Sequence, residues 1–73
     1  MDSMAESLRK FGEHLTFLRQ QKSLSIAQLA EMADLEYQQL KEIEEGRINV
    51  LFTTIVSLSD ALDIPPEDLL ETL

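Results

Sequence analysis

The chain contains no cysteine and no tryptophan, one histidine (His14), two glycines, two prolines, and no basic residue after Arg47. Without cysteine there can be no disulfides, thiolate nucleophiles, iron–sulfur clusters or zinc fingers, and a lone histidine cannot form a histidine cluster around a metal. The absence of thiols suits a reducing cytoplasm, which is the expected compartment. No apolar run approaches the roughly 18 residues of a membrane span, and Met1-Asp2-Ser3-Met4 lacks the basic and apolar regions of a secretory signal, so neither membrane insertion nor export is expected. A basic face, the usual footprint of nonspecific nucleic-acid binding, is also wanting: 6 Lys+Arg stand against 14 Asp+Glu, a net charge of -8. Residues 1–24 hold four basic and three acidic side chains, residues 25–49 two and six, and residues 50–73 none and five. Any nucleic-acid contact must therefore come from few residues. Seventy-three residues are expected to form one small domain over 1–73, with a radius of gyration of roughly 11 Å. Such a globule has little room for a metabolite pocket of about 300 Å³, which argues against an enzyme, and neither cofactor nor metal is expected.

What the sequence does have is helical period. Met4, Leu8, Phe11, Leu15 and Leu18 recur at steps of four and three, which places them on one stripe of a first helix ending near Gln21. Gly12 inside it costs about 1 kcal/mol relative to alanine, tolerable where another helix must approach closely. Ser25 and Gln28 have the spacing of a capping box and should start a second helix, whose Ile26, Leu29, Ala30 and Ala33 suit close packing. Asp34 stands where the chain must turn, and aspartate visits the left-handed region at modest cost. A third helix is predicted over 36–45, with Tyr37, Leu40 and Ile43 inward and Gly46 ending it. Its other face holds Gln38, Gln39, Lys41, Glu42 and Glu45. Leu51, Ile55, Leu58 and Leu62 predict a fourth stripe. Asp63-Ile64-Pro65-Pro66 ends that helix and opens a fifth over 67–73, acidic in its first turn and carrying Leu69, Leu70 and Leu73. No strand signal appears, so the expected class is all-α, a compact five-helix domain.

Two short helices joined by a three-residue turn and flanked by a longer first helix have the spacing of a helix-turn-helix unit, here about 25–45. Three motifs sharpen this: L-x-x-L-R at Leu15, Leu18 and Arg19; L-S-x-x-x-L-A at Leu24, Ser25, Leu29 and Ala30; and I-E-x-G at Ile43, Glu44 and Gly46. Through them the sequence resembles the Cro/CI-type helix-turn-helix family, also called Xre, from Phe11 through the closing Leu-Leu-Glu-Thr-Leu, nearly the whole chain. The resemblance implies the lambda-repressor-like fold and a DNA-binding transcriptional regulator, usually a dimer, that sets its third helix in the major groove of operator DNA. Carried over position by position, it makes Tyr37, Gln38 and Glu42 the residues that read base edges. Glutamine geometry would let Gln38 meet adenine N6 and N7, and Glu42 would accept from cytosine N4. Lys22, Gln39, Lys41, Arg47 and Asn49 fall on backbone-contacting positions. Arg19 and Glu44 match an ion pair between the first and third helices. The family also includes antitoxins, which implies a toxin protein as a further partner.

Several positions depart from the family pattern. Ile26 replaces a polar phosphate contact at the start of the second helix, Glu36 replaces a serine or threonine cap before the third, and His14 and Thr16 replace commonly basic residues. Each change removes positive charge or a phosphate contact, or adds negative charge, where DNA would want the reverse, which predicts modest affinity with a shallow salt dependence. His14 has no convergent ligands and reads as a surface or half-buried histidine. Glu42, Glu44 and Glu45 are expected on an exposed helix end, which would offer no catalytic pair. Phe17, where relatives carry a charge, lies about 100° off the core stripe. It reads as packing beneath the terminal helix, with a partner contact as the alternative. Ile64, Leu70 and Leu73 either complete the core or form a seam. With Phe17 and Ile26 they would be the contacts of an interaction module that keeps the fold but binds a protein instead of DNA.

Overall fold

The computed structural model describes residues 3–71. Five helices follow in order, α1 (Met4–Gln21), α2 (Ile26–Met32), α3 (Tyr37–Glu44), α4 (Phe52–Leu62) and α5 (Pro66–Leu69), with no strand among the described residues. The radius of gyration is 11.0 Å. Helix α1 lies against α3, α2 against α3 and α4, and α5 closes the assembly against α4 and α1. Phe11, Leu15, Leu29, Ala30, Leu40, Ile43, Leu58, Leu62 and Leu69 form the common core.

The helix starts follow from local chemistry. Ser3 Oγ accepts from the Glu6 amide at 3.1 Å. Ser25 Oγ accepts from the Gln28 amide while the Gln28 side chain accepts from the Ser25 amide, a complete capping box. Glu36 caps α3 without any side-chain hydrogen bond.

Four helix ends share one closure. Ser23, Asp34, Gly46 and Asp63 all have positive φ, and the amide of the next residue reaches back to the helix: Leu24 to Arg19, Leu35 to Ala30, Arg47 to Glu42 and Ile64 to Ser59. Only the third site is a glycine. A Cβ there would meet Arg9 Cα at 2.8 Å, so α1 crosses too closely for a side chain, whereas serine and aspartate suffice at the other three. Gly12 lies at the same crossing. A Cβ on it would fall against the backbone carbonyls of α3, 2.7 Å from Ile43 O and still closer to Glu44 O. The two glycines let α1 and the end of α3 touch backbone to backbone.

Three sequence expectations are corrected. Leu51 is 70 % exposed, because it precedes α4 in extended conformation and the helical period does not yet apply to it. The stripe that α4 buries is Thr54, Leu58, Ser59 and Leu62, with a threonine where the pattern of leucines pointed to Leu51. Met4, counted with the core stripe of α1, is 69 % exposed in the first helical turn. The fifth helix stops at Leu69, since Leu70 and Glu71 bond back three residues to Glu67 O and Asp68 O and tighten the turn. Leu73 lies outside the described residues.

Candidate nucleic-acid interface

Helix α3 has two faces. Leu40 and Ile43 are buried in the core, while Tyr37, Gln38 and Lys41 are exposed and Gln39 and Glu42 are half-buried. Tyr37 is 53 % exposed, so its ring belongs to the outward face and not to the inward set in which its spacing also placed it. Gln38 Nε2 donates to Glu42 Oε1 at 3.1 Å, joining two of the predicted base-reading residues into one unit.

The helix is held in place by charge. Arg19 Nε donates to Glu44 Oε2 at 2.7 Å and Arg19 Nη2 to Glu44 Oε1 at 3.0 Å, a two-pronged pair whose side chains are 10 % and 6 % exposed. Arg19 Nη1 donates to Leu24 O at 2.8 Å, and Thr16 Oγ1 lies 2.9 Å from both Glu44 Oε1 and Gly12 O, with one proton for either. Guanidinium and carboxylate thus bind α1, α3 and the loop into α2 together. No buried side-chain polar atom among the described residues lacks a partner. Thr16, a departure from the family pattern, serves this buried cluster and leaves no polar group for DNA. His14 Nε2, which must carry the proton because a carbonyl only accepts, donates to Asp68 O at 2.9 Å and ties α1 to α5.

The remaining cations are few. Lys22, at the end of α1, and Lys41 are exposed and without a partner among the described residues. Arg47 is exposed but its Nε contacts Glu45 Oε1 at 3.2 Å. Arg9 bridges Glu6 and Glu13 along α1. Asn49 is exposed and stands on the rim of an apolar cleft.

That cleft, about 230 Å³, is lined by Met4, Leu8, Phe11, Val50, Ile55 and Leu70, among others. Leu51 and Phe52, which follow the lining residue Val50 in the chain, are each 70 % exposed. Sequence reasoning missed this surface, although the uninterrupted run Val50-Leu51-Phe52 at a helix start was a signal, since only one side of such a run can face the core. Of the apolar residues singled out as contacts, Ile26, Ile64 and Leu70 are half-buried and packed against the core. Phe17 is 54 % exposed, which corrects the reading that it packs beneath the terminal helix.

Among the described residues no group of acidic or histidine side chains could hold a metal ion, and no helix is long and apolar enough to cross a membrane.

Comparison with known proteins matches this arrangement to one family. No curated protein matches. Among solved structures, the restriction-modification controller protein C.AhdI from Aeromonas hydrophila is similar at a TM-score of 0.84 and 40 % identity, over 85 % of this chain and 94 % of that one. The clp gene regulator ClgR from Corynebacterium glutamicum is similar at a TM-score of 0.82 and 28 % identity, over 96 % of this chain and 71 % of that one. A second ClgR structure gives the same score and identity over 97 % and 88 %. The model of the Cro/C1-type HTH DNA-binding domain matches residues 14–73, which takes in the two-faced α3, its buried ion pair and the capped α2, and the chain belongs to that family.

Proposed function

We propose that this protein is a sequence-specific transcriptional regulator that acts as a homodimer, represses by occupying its operator, and works in the cytoplasm where that DNA lies. The observation that carries the proposal is α3: its inner side is fixed by Leu40, Ile43 and the Arg19–Glu44 pair, while its outer side offers polar side chains at base-reading positions. Tyr37, Gln38 and Glu42 face the bases, and Lys22, Gln39, Lys41 and Arg47 face the phosphates on either side. The likeness to a restriction-modification controller and a clp gene regulator supports a regulatory role of this kind. Three cations per subunit, six in a dimer, correspond to a salt slope of about -5 in log K against log salt, shallow for an operator-binding protein.

The dimer seam we assign to Met4, Leu51 and Phe52 beside the apolar cleft. An isologous contact would set the exposed Leu51 and Phe52 of each copy against the cleft of the other. An apolar seam also suits a chain of net charge -8, since two copies repel overall and a contact free of charges adds least to that repulsion. Asn49, on the rim, then serves the seam as much as the phosphate backbone. Selection from a random duplex-DNA library at low salt tests the reading. Enrichment of a pseudo-palindrome supports it, and a folded protein that enriches nothing ends it.

A second reading has one observation in its favour. Phe17, exposed on α1, gives a protein partner an anchor. An antitoxin role, in which the chain holds a toxin through this face while its other face regulates the operon, would use it. Binding of a co-encoded toxin that survives Phe17→Ala unchanged would remove that support.

A further inference from the structure

Gln38 and Glu42 stand one turn apart, and Gln38 Nε2 donates to Glu42 Oε1 at 3.1 Å. An ionised carboxylate only accepts, so the contact settles which end of the amide faces Glu42: the NH2 group, not the carbonyl. Glu42 is half-buried and Gln38 exposed, so Gln38 is the more accessible member of the pair. The amide nitrogen has two protons. One points away from its own carbonyl and the other lies beside it. If the outer proton goes to Glu42, the inner N–H and the carbonyl oxygen remain together as a donor–acceptor edge.

That edge distinguishes the purines. Adenine presents an acceptor at N7 and a donor at N6, whereas guanine presents acceptors at both N7 and O6. A free glutamine can turn both of its amide protons toward guanine. A glutamine held by Glu42 has one proton left, and its carbonyl oxygen would face guanine O6 lone pair to lone pair.

Resting on the DNA-binding reading above, we propose that Glu42 is a positioning residue that makes Gln38 specific for adenine over guanine by withholding its second amide proton. Glu42 then acts on the base through Gln38, in place of the cytosine contact its residue type suggests.

The test is duplex-library selection at one low salt concentration with the wild type and with Gln38→Ala, Glu42→Ala and Glu42→Gln, each checked for helicity and melting. In the wild type, one base of the enriched site should be an adenine whose preference Gln38→Ala erases. At that base Glu42→Ala should admit guanine, with the adenine-to-guanine ratio falling about tenfold. Glu42→Gln should keep the adenine preference, because its amide oxygen still accepts from Gln38. Both Glu42 variants lose a negative charge and should bind all DNA more tightly, so total affinity cannot imitate the change in ratio. The inference is overturned if Glu42→Ala keeps the wild-type ratio, if Glu42→Gln loses the preference as Glu42→Ala does, or if the base that responds to Gln38→Ala is not adenine. A folded wild type that enriches no sequence rejects the DNA-binding reading itself and this inference with it, and that failure is seen before any variant is compared.

Discussion

Glu44 and Glu45 are adjacent in sequence and each contacts an arginine, yet the two pairs do different work. Arg19–Glu44 is two-pronged, with side chains 10 % and 6 % exposed, and further bonds come from Thr16 and go to Leu24 O. Arg47–Glu45 is a single contact between side chains 72 % and 42 % exposed. In the first environment each charge depends on the other, because water cannot replace a lost partner. In the second, solvent screens the attraction and the pair contributes little to stability. Helix geometry separates them: one residue along α3 rotates the side chain by about 100°, from the crossing with α1 out to the solvent.

The sharpest way to break the comparison is to remove Glu44. Glu44→Ala strands the Arg19 guanidinium and should cost about 3 kcal/mol, or roughly 15 °C in melting temperature for a domain of this size. An unchanged melting temperature would show that the buried pair is no stronger than the exposed one. Gly12→Ala should come next. Alanine gains about 1 kcal/mol in helix propensity, but its Cβ would meet Ile43 O at 2.7 Å and Glu44 O closer still, and backbone on both sides leaves little room to yield. A net loss of about 2 kcal/mol is expected from the overpacking. A stabilised Gly12→Ala protein would mean that α1 and α3 can part without loss.

The same comparison explains what the sequence made legible. The capping box, the left-handed Asp34 and Gly46, and the close approach at Gly12 are local or nearly local signals, and the structure contains all of them. The starts of α1 and α4 were not legible in the same way. Met4 and Leu51 satisfy a helical period, but period says nothing about where a helix passes beyond the core or has not yet begun. Thr54 and Ser59 are buried in α4 without being apolar, Ser59 by donating its hydroxyl to Val56 O, and hydrophobic pattern cannot register a side chain that satisfies itself in this way. Phe17 was ambiguous for a different reason. Its angle on α1 is fixed by sequence, whereas whether another element covers that angle is decided by tertiary packing, and the ring is 54 % exposed. The Gln38–Glu42 contact follows from an i, i+4 spacing that is readable in the sequence, but its consequence for the amide depends on Glu42 being the more buried member.

The smallest expected effect on stability belongs to Glu45. Its carboxylate touches Arg47 from the solvent side, and Glu45→Gln should change stability by less than about 0.5 kcal/mol. DNA binding should respond much more. The substitution removes one negative charge from the C-terminal end of the reading helix and releases Arg47 from its contact, leaving the guanidinium free for a phosphate. Both changes favour DNA, and they act twice in a dimer. Affinity at low salt should rise about tenfold at an unchanged salt slope, because Arg47 is already one of the three cations counted per subunit, whereas a slope steeper by about 2 would mean that Glu45 holds Arg47 off the phosphate in the wild type. Titrating one operator duplex at several salt concentrations distinguishes the cases. Tighter binding with an unchanged slope would mean that Arg47 already leaves Glu45 for the phosphate on binding and that only repulsion was relieved. If neither affinity nor slope moves, Arg47 lies away from the DNA, and the pair is as inert in recognition as it is in stability.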